Sequence, residues 1–317
     1  MNTLEGAVSI DVQKAKKAYF SVQSDSVKNS IMLLDQLNDV FSGFELSTYV
    51  DPLNLNFITE LELKGFQRQP GQSNCLLFTR AMETARDKLD TLAIITARGG
   101  SKRIPRKNIR PFFGKPIIGY PIENALNSHV FSEVMVSTDD VEIADYAKKS
   151  GAEVPFLRGP ELSNDHATTA AVLLDVIEQY KKHQNKNFKW ICCLYPTTPL
   201  LDSLDLQLGM SLLRQSNAHS VLPIVKFGFP PQRGFVMQEN VISYTWPEHM
   251  KTRSQDLPPM YHDAGQFYCV NVANFLSSGS LLGATSRGLL TSEMRTQDVD
   301  VEEDWALAEM KWRYLNA

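Results

Sequence analysis

Residues 91–317 predict an α/β domain with a mostly parallel sheet and helices on both faces, and three observations carry that reading. The first is LAIIT at 92–96, a short apolar run that leads straight into a glycine-containing basic loop, as a buried parallel strand does. The second is the repeated alternation of apolar strand-like runs with amphipathic helical stretches, which a parallel sheet needs for its crossovers. The third is punctuation: Gly151 follows a helical stretch at the point where a left-handed residue would end it.

In chain order, the spacing predicts a helix over 117–128, a strand over 133–137 (EVMVS) and a helix over 141–150. A helix over 169–183, a strand over 190–194, a helix over 203–215 and a strand over 220–225 continue the rhythm. Residues 226–262 break it. Lys226-Phe-Gly-Phe-Pro-Pro, an alternating segment around 234–244, Pro247 and Pro258-Pro259 predict an extended arm or β-hairpin. Its aromatic residues call for a surface to cover them, and a second subunit is the expected one. A strand over 268–272 (YCVNV) and a last helix over 305–315 close the chain. In such sheets ligands sit outside the carboxyl ends of the strands, so the loop after LAIIT is the first place to look.

Residues 1–90 are set apart as a small N-terminal accessory segment. A helix is expected over 26–41, shorter apolar groups over 57–66 after Asp51-Pro52, a turn at 69–72 and a second helix over 76–89. No catalytic constellation lies there. An accessory or oligomerisation module is the plain reading; a separate activity or a tether to another enzyme is the alternative.

Hydrophobic residues make up 43% of the 317, enough to build a core, and the net charge of −4 argues against a general nucleic-acid binder. An anionic ligand must therefore be held by cations placed locally. None of the four cysteines has C-x-x-C spacing, so reduced thiols are expected, with Cys192 and Cys193 as small apolar strand residues. No stretch reaches the ~18 apolar residues of a membrane span. The opening MNTLEGAVSIDVQKAKKAYF lacks a basic region followed by an apolar run. A cytoplasmic protein without a membrane partner is expected.

The strongest chemical signal is Ala97-Arg98-Gly99-Gly100-Ser101-Lys102-Arg103-Ile104-Pro105-Arg106-Lys107-Asn108. Two glycines let backbone N–H groups approach a phosphate, Ser101 adds a hydroxyl, and Arg98, Lys102 and Lys107 supply the charge a triphosphate needs. It is neither a Walker A loop nor G-x-G-x-x-G: Gly114-Lys115 is followed by Pro116. A basic surface loop is the competing reading. Asp298 and Asp300 alternate on an extended segment, so both carboxylates can face one hard cation such as Mg²⁺. Acidic residues ahead of Trp305 also suit a helix start, and Glu302, Glu303 and Asp304 are assigned to that role. Ser137-Thr138-Asp139-Asp140 ends one strand and opens a helix, which suggests capping, with a substrate contact as the alternative.

The run ARGGSKRIPRKNI resembles the nucleotide-binding signature of the sialic-acid-type cytidylyltransferases. Further segments resemble that family in family order: VSTDD at 136–140, FLRGPELSND at 156–165, LYPTTPL at 194–200, RSQDLP at 253–258, YHDAGQFY at 261–268 and the D-x-D at 298–300. The resemblance runs from about residue 92 to 312 and does not touch residues 1–90. It implies a Rossmann-like nucleotidyltransferase fold with a dimerisation arm, and a homodimer. It implies transfer of CMP from CTP to the anomeric hydroxyl of an acidic nine-carbon 2-keto sugar. By matching positions, Arg98 and Lys107 would be catalytic. Gly99, Gly100, Ser101, Lys102, Asn108, Arg158 and Asp165 would bind the nucleotide, and Asp298 and Asp300 the metal. Tyr195, Arg253, Gln255 and Tyr268 would contact the sugar, with Arg253 a bidentate partner for its carboxylate. Tyr195 stands where the sialic and legionaminic acid enzymes usually carry glutamine, which points to the pseudaminic acid branch, since a phenol and an amide differ in donors and shape. Sialic, legionaminic or Kdo-like acids, or a nucleotide-binding protein without turnover, are the alternatives. His262 is open between a base and a structural role.

Overall fold

The computed structural model describes residues 90–316 throughout and, before them, the backbone of strands β1 (Ala7–Gln13), β2 (Lys17–Gln23), β3 (Glu45–Val50), β4 (Gln67–Gln69) and β5 (Leu76–Ala81). These form one sheet in the order β1-β2-β3-β5-β4, with β2 and β3 parallel and the other pairs antiparallel. The helix expected over 76–89 is thus corrected at its start. LLFTRA is apolar and partly β-favouring, and ladders with β3 on one side and β4 on the other decide its state. The helix expected over 26–41 and the groups over 57–66 lie outside the described residues.

The rest of the chain runs β6 (Thr91–Thr96), a small hairpin β7 (Pro111–Phe112) and β8 (Lys115–Pro116), α1 (Gly119–Asn127), β9 (Glu133–Ser137) and α2 (Val141–Lys149). Then come α3 (Thr169–Gln184), β10 (Trp190–Leu194), α4 (Ser203–Ser216), β11 (Ser220–Lys226) and the hairpin β12 (Phe235–Gln238) and β13 (Val241–Tyr244). Last are β14 (Tyr261–Asp263), β15 (Phe267–Asn271), α5 (Val272–Ser278), β16 (Arg287–Leu290) and α6 (Glu302–Leu315). The sheet order is β14-β11-β15-β10-β6-β9, with β16 beside β11. Strands β9, β6, β10, β11 and β16 share one direction; β14 and β15 run against them. The expected α/β class holds.

Alternate residues of each strand go to opposite faces, which is why the runs are apolar throughout. Ala93, Ile95, Val134, Val136, Cys192 and Leu194 pack with Ile122, Ala125, Ile143, Ala147, Leu206 and Met210, so α1, α2 and α4 cover one face. Leu92, Ile94, Met135, Ile191 and Cys193 pack with Leu173, Val176, Tyr180 and Phe275, so α3 and α5 cover the other. Among the described residues Cys192, Cys193 and Cys269 are buried free thiols, and no helix is long and apolar enough to cross a membrane.

Two features of this fold position the site. The parallel register sets Thr96 beside Ser137 and Ile95 beside Leu194, so the carboxyl ends of β6, β9 and β10 share one edge. Antiparallel β15 enters from that edge, with Phe267 opposite Leu194 and Tyr268 opposite Cys193. A second core of Ile104, Phe112, Ile117, Tyr120, Val299, Trp305 and Ala308 fastens α6 to the β7–β8 hairpin. Phe112 meets Trp305 edge-on at 5.5 Å, and the Arg110 guanidinium lies 4.3 Å from the Trp305 ring centre. Each fully buried aromatic there contributes roughly 1.5–3 kcal/mol, ample to hold the preceding acidic segment against the basic loop.

Residues 226–262 form the expected excursion. The chain leaves the end of β11, builds the β12–β13 hairpin and returns as β14, whose Tyr261 pairs with Lys226. Met237 is 68% exposed, Val241 71% and Ile242 58%, apolar side chains that stand in the open on the hairpin.

Candidate active site

The loop after β6 is held from beneath by the next strand. The Gly99 backbone N–H donates to Asp139 Oδ1 at 2.9 Å, and Asp140 caps α2 by accepting from Ile143 N at 3.1 Å. Of the two readings of Ser137–Asp140, capping is met by Asp140, and Asp139 grips the loop. A Cβ on Gly99 would fall 2.6 Å from Asp140 Oδ2 and 2.9 Å from Asp140 Cβ, so this position requires glycine; Gly100 meets nothing within 4 Å. The Ser101 N–H donates to Gly99 O at 3.1 Å, closing a tight turn.

The far end of the loop returns to its beginning. Asn108 is buried, its Nδ2 donates to Arg98 O at 2.9 Å, and its Oδ1 is buried without a partner among the described residues. Arg106 adopts a left-handed backbone (φ 55°) and its guanidinium donates to Asp140 and Glu142. The sequence assigns Arg106 no role and Asp139 only a place in a capping segment, because neither the Arg106–Asp140 pair nor the Gly99–Asp139 bond, 40 positions apart, leaves a local signal.

The loop's cations are paired with acids from two directions. Arg98 donates to Asp165 Oδ1 at 2.7 Å and Lys102 to its Oδ2; these two cations hold the exposed Asp165 carboxyl below the usual carboxylate range. Lys107 is mostly buried, donates to the carbonyl of Val299, and lies 3.6 Å from Asp300 Oδ1. Burial pushes its ammonium below the ordinary lysine range against the opposing pull of Asp300 and Asp298. Arg103 also donates to Asp300, at 2.7 Å. Burial, then the charge of Asp300, pushes the Asp298 carboxyl up.

Asp298 and Asp300 therefore lie beside the loop although some 190 residues separate them from it in sequence. Asp304 holds the segment in shape by accepting from the N–H groups of Asp300 and Val301, both at 2.9 Å, and Glu302 pairs with Arg110 at 2.7 Å. Those acids serve the helix start, as expected. Among the described residues no group of three or more His, Cys, Asp or Glu side chains could cage a metal ion. Asp298 and Asp300 are oxygen donors of the type that could hold a hard cation together with phosphate and water.

The remaining candidates divide. Arg158 is 8% exposed; its Nε donates to Ser137 Oγ at 3.0 Å and its Nη2 to Ser137 O at 2.5 Å, so it buttresses the end of β9. Burial pushes its guanidinium below its usual range, with Asp139 opposing. Tyr195 and Tyr268 meet edge-on, ring centres 6.1 Å apart, at the same sheet edge. Arg253 and Gln255 stay on the exposed arm, where the Gln255 amide oxygen, turned toward Arg253, accepts from its Nε at 2.7 Å. No hydrogen bond or ion pair joins them to the loop among the described residues. His262 is exposed on β14, its ring against Phe227 and its Nδ1 2.8 Å from the carbonyl of Asp263.

A family model described as cytidylyltransferase matches residues 92–256, a span that holds the loop, Arg158, Asp165, Tyr195, Arg253 and Gln255. The chain belongs to the cytidylyltransferase family. Over 226 residues it is 41% identical to a pseudaminic acid cytidylyltransferase of Campylobacter jejuni subsp. jejuni serotype O:2, covering 71% of this chain and 97% of that one. It is 29% identical over 221 residues to a CMP-N,N'-diacetyllegionaminic acid synthase of Legionella pneumophila, covering 69% and 94%. Among solved structures, a CMP:2-keto-3-deoxy-manno-octonic acid synthetase complexed with CTP superposes with a TM-score of 0.53 at 16% identity, over 71% of this chain and 98% of that one. That likeness is one of fold. The family model's match runs from β6 into the arm and leaves the β1–β5 sheet outside the matched residues.

Proposed function

We propose that this chain transfers CMP from CTP to the anomeric hydroxyl of pseudaminic acid, an acidic nine-carbon 2-keto sugar, and releases pyrophosphate. The observation that carries the reading is the meeting of the basic loop with two carboxylates at the carboxyl end of β6, where Lys107 and Arg103 reach Asp300. Arg98, Ser101, Lys102 and Lys107 hold the triphosphate, which takes over the cations that Asp165 and Asp300 engage. Gly99 and Gly100 let the backbone approach, and Asn108, with an unpaired buried oxygen, recognises a donor on the nucleoside. Arg158 supports the nucleotide pocket from β9.

In the reaction the anomeric oxygen bonds to the α-phosphorus while the bond from that phosphorus to the departing pyrophosphate breaks. No covalent enzyme intermediate is required, so the protein's part is alignment and compensation of negative charge. Asp298 and Asp300 would hold Mg²⁺, which when bound supplies further stabilisation of phosphate charge. Tyr195 and Tyr268 face the sugar, and Arg253 with Gln255 reaches its carboxylate from the arm. The 41% identity to a pseudaminic acid enzyme and the phenol at Tyr195 support that sugar over its relatives.

The apolar arm supports a homodimer, and the buried free thiols support a cytoplasmic setting. Residues 1–90 act as an accessory segment to a catalytic unit over 91–317; a chain starting near Lys88 that keeps full turnover supports this division. The deciding experiment is Mg²⁺-dependent pyrophosphate release from CTP with pseudaminic acid and N-acetylneuraminic acid in parallel. Release with pseudaminic acid alone is expected. Release with neuraminic acid alone overturns the sugar assignment, and CTP binding without release overturns the enzymatic one.

A further inference from the structure

The turn between β14 and β15 carries an acid that the sequence reading left without a role. Asp263 uses both carboxylate oxygens: Oδ1 accepts from the Gly265 N–H at 2.8 Å, and Oδ2 accepts from the Tyr268 hydroxyl. Gly265 between them is left-handed (φ +65°), and a Cβ there would lie 3.5 Å from Asp298 Cβ, so the turn abuts the carboxylate pair. On the other side the Tyr195 ring meets the Tyr268 ring edge-on, the centres 6.1 Å apart. Tyr195, Tyr268 and Asp263 thus stand together at the sheet edge, with Tyr268 bonded to Asp263.

A phenol has a single proton, and a carboxylate can only accept. Asp263 therefore accepts the hydrogen bond from the only proton of the Tyr268 hydroxyl and leaves that oxygen with lone pairs alone to offer a ligand. Burial, then the bond to Asp263, pushes the Tyr268 phenol well above its usual range, so it remains neutral and keeps that proton. We propose that Asp263 is a positioning residue that fixes Tyr268 as a hydrogen-bond acceptor toward the sugar, so that the site selects a hydroxyl or amide N–H at that point. The inference rests on the proposed function and deepens it by naming what kind of group the sugar must present.

Asp263→Asn tests it with little change of shape. The Gly265 N–H requires an oxygen opposite it, so the new amide turns its NH₂ to Tyr268 and donates. The phenol then points its own proton outward, and a donor on the sugar meets a donor. The expected result is a rise in the sugar KM of roughly tenfold, the scale of one lost hydrogen bond, with the CTP KM, kcat and melting temperature unchanged. Tyr268→Phe raises the sugar KM by a similar factor, and the double variant by no more than either alone. An unchanged sugar KM in Asp263→Asn overturns the proposal, as do parallel rises in both KM values, which mark a general disturbance. Should Asp263→Asn not fold, Tyr268→Phe removes the same acceptor, and an unchanged sugar KM there overturns the proposal equally. Wild-type protein that releases no pyrophosphate with any acidic sugar overturns the proposed function and this role with it.

Discussion

Lys107 donates to the backbone carbonyl of Val299, the residue between Asp298 and Asp300, and so ties the basic loop to the carboxylate segment 192 positions later. One side chain thereby fixes the spacing of the two halves of the site and brings a positive charge to it. Lys107→Ala is expected to cut turnover by on the order of 10²–10³, the scale for removing one preorganised charge from a transition state. The fold should survive, because α6 is held separately by Phe112, Tyr120 and Trp305. A circular-dichroism melt together with pyrophosphate release checks both halves, and near-normal turnover removes the role assigned to Lys107.

The same lysine gives the site a pH dependence with a definite sign. Burial lowers its folded value below the ordinary lysine range, which the unfolded chain retains. Between those two values the unfolded chain binds the extra proton, so this group's contribution to stability rises as pH rises through the folded value. Binding of a triphosphate requires the charged form, so CTP affinity moves the opposite way and falls over that window. A titration of CTP affinity from neutral to alkaline pH should show the decline beginning below the ordinary lysine range. Lys107→Arg should flatten it, since a guanidinium stays charged throughout. A decline of the same shape in Lys107→Arg would assign it to another group.

Gly99 is fixed by its neighbour rather than by its own backbone angles. A Cβ there meets the Cβ of Asp140 at 2.9 Å as well as its carboxylate, and Asp140 is anchored by Arg106 and by the start of α2. Gly99→Ala must push the loop away from Asp139 and lose the 2.9 Å bond to its N–H. The expected outcome is a CTP KM raised by roughly tenfold to a hundredfold, as for loss of one or two hydrogen bonds to charge, with thermal stability nearly kept. Gly100→Ala, which meets nothing, is the control. Equal effects of the two substitutions would contradict this account.

Strands β6, β9, β10 and β11 and helices α1 to α4 were legible in the sequence because each is buried on one or both sides, whereas α5 and the largely exposed β14 and β16 gave no such signal. The first strand was placed to within one residue, and Gly151 (φ +91°) does stop α2. Residues 76–81 were read as helix because Leu-Leu-Phe has no period of its own, and pairing with β3 and β4 is a non-local fact. At the site, the residues that carry charge announced themselves. The residues that hold them did not: Asp139, Arg106 and Asp263 act through partners that only the folded chain supplies. The sequence likewise left Arg158 free to face a ligand, whereas two of its nitrogens are committed to Ser137.

The arm gives the last test. Phe235, Met237 and Ile242 share one face of a two-stranded hairpin that is marginal alone, since an isolated hairpin has no second layer to bury its apolar face against. In a homodimer the neighbour supplies that layer, and removing those side chains from water is what would hold the arm in one geometry. Because Arg253 and Gln255 ride on the same excursion, dimerisation and sugar binding should be coupled. Met237→Glu with Ile242→Glu, opposite each other in the hairpin, places two charges in the covered face and is expected to convert the dimer to a monomer in sedimentation velocity. The sugar KM should rise in step while CTP affinity, set at the loop after β6, stays as it was. A wild type that sediments as a monomer excludes the dimer. A monomeric variant with an unchanged sugar KM separates the arm's association role from any part in the sugar site.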